Sequence, residues 1–196
     1  MSEDFDTPPL STRFEEALVL ATRLHGRQRR KGTDVPYVSH LLGVASLVLE
    51  AGGDEDQAIA ALLHDAVEDQ GGRPQLEKIR RQFGDRVAGI VEGCTDADSV
   101  PKPPWRARKE RYVAHVKEAP ADVRRVSAAD KLHNARAILA DVRRHGDAVW
   151  GRFTADRAGV LWYYRSLVTA FRETDTGYLA EELDRIVTEL ERGSGR

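Results

Sequence analysis

Residues 62–69 read LLHDAVED, which places an imidazole and three carboxylates at the end of an apolar run. The apolar residues before this stretch recur at helical spacing, so a helix that buries them carries His64 and Asp65 toward the protein interior. Charged groups in such a place are costly unless they are hydrated, paired or bound to a metal. The stretch therefore predicts a site where the negative charge is compensated.

Two distant segments contain residues of the same chemical types. His40 begins a second predicted helix, and Asp130 lies in a third helical segment, SAADKLHNARAI. Taken alone, His40 is explained as a hydrogen-bonding residue at a helix start, and Asp130 as half of a surface pair with Lys131. The neighbouring Ala128 and Ala129 argue against the surface pair, because small residues indicate close helix approach and little water.

Together, the four residues indicate a function more specifically than any one of them does alone. A histidine, an adjacent His-Asp pair and a distant aspartate in a helical chain are typical of the HD phosphohydrolase superfamily. Two imidazoles and two carboxylates suit Mn²⁺ or Fe²⁺ better than Ca²⁺, and the set lacks the thiolates of structural zinc sites. We therefore predict a metal site formed by His40, His64, Asp65 and Asp130. Such an ion lowers the pKa of a bound water and neutralises charge on a phosphoryl oxygen.

Two more acids follow the His-Asp pair on the same predicted helix. Glu68 lies one turn beyond His64, and Asp69 one turn beyond Asp65, so both face roughly as the ligands do. If the first pair holds the ion, the second pair can take a proton from water and protonate the leaving oxygen. The alternative is a hydrated acidic helix end, which would oppose the helix dipole.

Helical periodicity recurs along the chain, whereas alternating strand patterns and hairpin signals are scarce. We predict an all-α, single-domain HD-type bundle of roughly eight to ten helices. The first helix is expected to open with a Thr12–Glu15 capping box, and one continuous helix is expected over residues 54–70. The predicted division is a disordered tail over residues 1–11, the domain over residues 12–192 with its last helices as an appendage from about residue 155, and a tail over residues 193–196.

The composition of the chain bears on its partners and on the cellular compartment that we expect. The chain has 196 residues with 30 Lys+Arg and 32 Asp+Glu, so a net charge of −2 gives no argument for a nucleic-acid or membrane partner. The single Cys94 excludes an internal disulfide and fits a reducing cytosol. No apolar stretch approaches the ~20 residues that span a bilayer. We expect a cytoplasmic protein that binds a small molecule; self-association is left open.

At the level of motifs, the chain resembles a narrower family. HGRQRRKGTDVPYVSH, ALLHDAVED, VEGCTD and AADKLHNARAI are similar to the hydrolase domain of RelA/SpoT homologues and the stand-alone small alarmone hydrolases. The resemblance covers about residues 13–143, with the motifs in the same order. It implies an all-helical fold and Mn²⁺-dependent removal of pyrophosphate from the 3′ position of guanosine tetra- or pentaphosphate.

Carried over by position, the resemblance implies the same four metal ligands and the Glu68–Asp69 pair as the groups that activate water. It also implies that Arg30 and Lys31 hold the substrate and that Asn134 contacts the nucleotide. A basic RQRRK loop directly before a ligand-bearing helix is suited to clamping a polyphosphate. Lys102, in the proline-containing loop over residues 96–108, is a further candidate phosphate contact.

Two departures from the family pattern concern the nucleotide and leave the metal residues unchanged. Leu41 stands where the family usually has proline, and Leu161 stands where a related group has a tyrosine near the base. One alternative is therefore an HD-type nucleotidase or phosphatase acting on a nucleoside monophosphate or an NADPH-like cofactor. Another is a non-catalytic nucleotide-binding HD module, although none of the ligands or acids is lost.

Overall fold

The computed structural model describes residues 10–95, 103–174 and 176–193. Within these ranges the chain forms ten α-helices and one 3₁₀ helix and no strand, which confirms the all-α prediction. No helix in the same ranges is both long and apolar enough to cross a membrane. The α-helices are α1 (Thr12–Leu24), α2 (Val38–Glu50), α3 (Glu55–Leu63), α4 (Ala66–Gln70), α5 (Gly72–Phe83), α6 (Asp85–Cys94), α7 (Trp105–Glu118), α8 (Ala121–His145), α9 (Arg157–Glu173) and α10 (Tyr178–Arg192), with the 3₁₀ helix Gly146–Arg152 between α8 and α9.

The helix expected over residues 54–70 is divided in two. It bends at His64 and Asp65, which lie in a turn between α3 and α4. In this turn, Nδ1 of the His64 ring donates a hydrogen bond to the backbone carbonyl of Ala61 at 2.7 Å. The prediction of one continuous helix is therefore wrong, and the His64–Ala61 contact at the break is a side chain–backbone bond that helical periodicity does not reveal.

The start of the first helix also differs from the prediction. The N-cap is Ser11, whose hydroxyl accepts a hydrogen bond from the backbone N–H of Arg13 at 3.2 Å. The prediction of a Thr12–Glu15 capping box is therefore wrong, because the N-cap lies one residue earlier, at Ser11. A complete capping box is present instead at α3, between Asp54 and Gln57.

The long helix α8 lies at the centre of the packing. It contacts α2, α3, α6, α7, α9 and α10, and the small buried residues Ala128, Ala129 and Ala135 allow neighbouring helices to approach closely. Residues of α9 and α10, such as Phe171 and Leu183, belong to the same buried cluster as residues of α2 and α3. The division into tails, domain and C-terminal appendage stays a prediction.

The connection between α1 and α2 folds back on itself before it enters the ligand-bearing helix. Arg29 and Pro36 form an isolated antiparallel bridge, and the backbone N–H of Arg30 donates to the carbonyl of Val35 at 2.9 Å. Gly32 occupies the left-handed region with φ 72°, which only glycine adopts without strain. This turn directs the Arg30 side chain toward α8.

Candidate active site

Four side chains from three segments converge inside the helical bundle. The Nε2 atom of His40, in α2, lies 3.2 Å from Asp130 Oδ1, in α8, and 3.7 Å from Asp65 Oδ2. The Nε2 atom of His64 lies 3.0 Å from Asp65 Oδ2 and 3.7 Å from Asp130 Oδ1. Adjacent ligands of a small divalent ion at ~2.1 Å lie ~3 Å apart, so His40, His64 and Asp65 are close enough to share one ion, and Asp130 borders this group through both histidines.

His64 provides the test of whether this set fits a metal. Its Nδ1 donates to the carbonyl of Ala61 at 2.7 Å, so in the neutral ring Nε2 offers its lone pair on the side of the two carboxylates, where a cation would bind. Nε2 is buried and has no hydrogen-bond partner within the described ranges. An unsatisfied nitrogen among carboxylate oxygens, with no thiolate among the four side chains, is a donor set that suits a divalent metal ion.

The charges of the cluster support the same interpretation. Burial lowers the pKa of His40, which keeps the ring neutral as a metal ligand must be. Burial also lowers the pKa of His64, but the negative charges of Asp65 and Asp130 outweigh it and hold that pKa well above its usual value. The pocket between the two carboxylates therefore favours a positive charge, which a divalent ion would supply.

Asp130 is anchored by its own helix. Lys131 Nζ lies 2.6 Å from Asp130 Oδ2, and the pair is almost entirely buried, with side-chain exposures of 14% and 9%. Asn134 Nδ2 donates to Oδ1 of the same carboxylate at 2.5 Å. The amide oxygen of Asn134 in turn accepts from Arg30 at 2.8 Å. Two of the predicted substrate residues thus form a chain that leads from the first loop to a candidate ligand.

Asp65 is held from the opposite side by aromatic residues. The hydroxyl of Tyr37 donates to Asp65 Oδ2 at 2.6 Å. The Tyr37 ring stacks on buried His25 with centroids 5.3 Å apart and meets His40 edge-on at 5.5 Å. Burial and the nearby Asp65 charge raise the pKa of Tyr37, so it remains a donor. The carboxylate oxygen that faces both histidines is therefore fixed in place.

Glu68 and Asp69 have different surroundings, which the sequence did not distinguish. Glu68 lines the same cavity as Asp65 and Asp130. Asp69 instead accepts a hydrogen bond from Gln28 Nε2 at 2.7 Å, and Gln28 Oε1 in turn lies 2.7 Å from His25 Nδ1. Partial desolvation and the charges of Asp65 and Glu68 raise the pKa of Asp69.

Asp65 and Asp130, the two carboxylates of the His-Asp cluster, line part of a cavity of about 520 Å³. Asp65, Glu68 and Asp130 lie on its acidic side. Its other walls combine aromatic residues with cations, which suits a polyanion bound beside a metal. The cations are Lys31, Arg108, Lys109 and Lys131, and the aromatic residues are Trp105, Phe153, Tyr163 and Tyr164.

A second cavity of about 440 Å³ adjoins the first. Four residues line both cavities and so mark the passage between them: Lys31, Asn134, Phe153 and Tyr164. The second cavity adds apolar walls from Ile138 and Val149 and cations from Arg144 and Arg152. Together the two cavities could hold a charged group next to the metal cluster and a flatter, less charged group beyond Asn134.

The structure thus brings His40, His64, Asp65 and Asp130 together, and it places Glu68, Lys31 and Asn134 at the same cavity. Lys102 lies outside the described residues. Several residues at the site were missed by sequence reasoning. These are Tyr37, Gln28 and His133, whose partners lie 28 to 93 residues away along the chain.

This arrangement defines a class of protein. A helical bundle that joins a histidine, a His-Asp pair and a distant aspartate at one cation site is the HD-domain architecture, and the HD domain family model matches residues 17–161. The chain belongs to the HD-domain family. This family and the His-Asp cluster together imply that the site binds a divalent metal ion.

Two relatives and one solved structure show which members of the family this chain is similar to. The chain is 33% identical over 181 residues, 91% of this chain and 93% of the relative, to "Guanosine-3′,5′-bis(diphosphate) 3′-pyrophosphohydrolase MESH1" of Danio rerio. It is 40% identical over 126 residues, 63% of this chain and 68% of the relative, to the protein of the same name from Xenopus tropicalis. A solved structure, described as a metazoan orthologue of SpoT that hydrolyzes ppGpp and plays a role in starvation responses, superposes with a TM-score of 0.78 at 31% identity, over 95% of this chain and 98% of that one.

Proposed function

We propose that this protein is a divalent-metal-dependent hydrolase that removes the 3′-pyrophosphate from guanosine tetra- or pentaphosphate. The observation that carries the proposal is the cavity of about 520 Å³, in which Asp65 and Asp130 of the His-Asp cluster share one lining with a group of cations. Such a cavity suits a substrate that brings several phosphate charges to a metal ion. The names of the near-full-length relatives support the same reaction.

In this proposal His40, His64, Asp65 and Asp130 hold one ion, and Mn²⁺ is the ion we favour, with Fe²⁺ as the alternative. When bound, the ion would lower the pKa of a coordinated water and neutralise charge on the phosphoryl group. The chain prepares each ligand for this task. Two imidazoles present Nε2 lone pairs, and the two carboxylates are oriented by Tyr37 and by the residues that follow Asp130.

Proton transfer is assigned to the acids after the His-Asp pair. Glu68 lines the cavity and takes the proton of the water that attacks the 3′-linked phosphorus. The bond from that phosphorus to the ribose 3′ oxygen breaks, and the Glu68–Asp69 pair returns a proton to this oxygen. Guanosine 5′-diphosphate or triphosphate and pyrophosphate leave. The raised pKa of Asp69 suits a group that stores a proton between these steps.

Substrate binding is assigned to the cations and to the passage between the cavities. Lys31, Arg108 and Lys109 neutralise the 3′-diphosphate beside the metal cluster. Asn134 and Arg30, which are hydrogen-bonded to each other, lie where the ribose passes into the second cavity. The apolar wall of that cavity is suited to the face of a purine.

Product analysis tests the proposal against its alternatives. The purified protein is incubated with Mn²⁺ and guanosine tetraphosphate, guanosine monophosphate or NADPH, and the released phosphate species are separated. Pyrophosphate from guanosine tetraphosphate is the expected product. Orthophosphate from the monophosphate or from NADPH, without pyrophosphate release, would instead identify a nucleotidase or cofactor phosphatase. Nucleotide binding without turnover would identify a non-catalytic module.

The role of Lys102, a cytoplasmic location and self-association remain predictions from the sequence. Lys102 is tested by its effect on KM in the same assay, because a phosphate contact that forms on binding changes substrate affinity.

A further inference from the structure

A second imidazole lies directly behind one of the candidate ligands. His133, in α8, places its Nδ1 atom 2.9 Å from Nδ1 of His40, in α2. The two ring centroids are 4.9 Å apart with an interplanar angle of 56°. Two neutral imidazoles form a hydrogen bond only when one nitrogen carries the proton and the other offers a lone pair. This contact therefore constrains the tautomers of both rings.

The direction of the bond follows from the other side of His40. Its Nε2 atom faces Asp130 Oδ1 and Asp65 Oδ2 and must present a lone pair to bind a cation. The single proton of neutral His40 is then on Nδ1, which donates to Nδ1 of His133. A metal-bound histidine normally donates its second N–H to a carboxylate, carbonyl or water. Here the acceptor is another histidine.

The fold makes room for this acceptor. Gly43 lies one helical turn after His40 on α2, and a Cβ atom at this position would overlap Cδ2 and Nε2 of the His133 ring. A glycine inside a helix costs about 1 kcal/mol relative to alanine. The absence of a side chain at this position allows the His133 ring to approach α2 closely enough to reach His40.

We propose that His133 is a positioning residue, which fixes the tautomer and ring orientation of His40 and so sets the affinity of the metal site. The inference rests on the proposed metal site. It adds a residue outside the four ligands that acts through His40; because His133 also lines the second cavity, its effect is measured on metal binding in the absence of substrate. The contribution of His133 can be measured separately from catalysis, because its loss should weaken Mn²⁺ binding to the protein without substrate.

The main test compares two replacements of His133. In His133→Phe an aromatic ring is kept and the acceptor is lost, whereas in His133→Asn a smaller side chain offers an amide oxygen in place of Nδ1. Mn²⁺ affinity is measured by calorimetric titration of the chelator-treated protein. We expect His133→Phe to weaken binding on the order of 10- to 100-fold, as loss of other outer partners does, and His133→Asn to recover most of it. The matched control is His145→Phe, which removes an exposed histidine from the end of the same helix.

Two further measurements separate positioning from simple packing. Nitrogen-15 spectra of the Zn²⁺-loaded protein should show His40 protonated at Nδ1 and His133 at Nε2. Gly43→Ala should weaken Mn²⁺ binding with His133 still present, because the new methyl group displaces the ring. Parent-like affinity in His133→Phe, or a His40 proton on Nε2, would overturn the inference. If His40→Ala also leaves Mn²⁺ binding unchanged, the proposed metal site itself fails; if His40→Ala abolishes binding, only the role of His133 is rejected.

Discussion

The buried pair between Lys131 and Asp130 yields a quantitative prediction. Their charged atoms lie 2.6 Å apart, and at an effective dielectric constant of ~20 this separation corresponds to about 6 kcal/mol of attraction. Desolvation offsets part of this energy, and removing one partner of a buried pair costs about 3–5 kcal/mol. Lys131→Met keeps the length of the side chain and removes its charge. For a chain of this size, the melting temperature of the metal-free protein should fall by about 6–20 °C.

A matched control lies on the surface. Lys117 pairs with Glu173 at 2.7 Å, nearly the same separation, but the two side chains are 44% and 53% exposed. Exposed pairs contribute about 0–1 kcal/mol, so Lys117→Met should change the melting temperature by only a few degrees. Differential scanning calorimetry of both variants after chelation compares the same substitution at two levels of burial. Equal decreases in melting temperature for Lys131→Met and Lys117→Met would refute the argument that the buried Asp130 carboxylate needs the Lys131 charge.

The Lys131→Met variant also tests how the Lys131 charge affects Mn²⁺ affinity. The Lys131 ammonium repels a divalent ion bound at Asp130, while Asn134 still holds Asp130 Oδ1 when the ammonium is removed. Mn²⁺ should therefore bind Lys131→Met more tightly and raise its melting temperature more than that of the parent protein. A smaller rise in the variant would show that Lys131 orients Asp130 more than it balances its charge.

The remaining predictions concern proton transfer and its support. Glu68→Gln should retain Mn²⁺ binding and lose about 10²- to 10⁴-fold in kcat, because the cavity-lining base is removed; unchanged kcat would contradict its role. Asp69→Asn should have a smaller effect on kcat, since Asp69 is held at the edge of the site by Gln28; a loss as large as that of Glu68→Gln would reverse the assignment. Gln28→Leu should lower kcat without changing Mn²⁺ affinity in the calorimetric titration, because it releases Asp69 and leaves the four ligands in place.

Helical periodicity was sufficient to predict the all-α fold, and the order of the histidines and aspartates along the chain was sufficient to predict which side chains would meet. His40, His64, Asp65 and Asp130 are recognisable because a histidine, a His-Asp pair and a distant aspartate follow one another on three segments with helical periodicity. Their function as ligands stays a proposal, whereas their convergence is a feature of the structure.

The details that the sequence did not reveal depend on contacts between distant segments. The bend after α3 accompanies a bond from the His64 ring to a backbone carbonyl, which periodicity alone cannot anticipate. The pairing of His133 with His40 depends on how closely α2 and α8 approach each other at Gly43. Ala128 and Ala129 predict close helix approach around Asp130, but the pattern of α8 does not show that neighbouring helices also cover most of the Lys131 side chain.

The most direct test of the account is a metal-removal experiment. Elemental analysis of the purified protein is combined with pyrophosphate release from guanosine tetraphosphate before chelation, after chelation and after Mn²⁺ is returned, with Asp65→Ala in parallel. We predict about one divalent ion per chain, loss of pyrophosphate release with loss of the ion, recovery with Mn²⁺, and neither metal nor activity in Asp65→Ala. Undiminished pyrophosphate release by the metal-free protein would contradict the claim that the two histidines and two aspartates form a catalytic metal site.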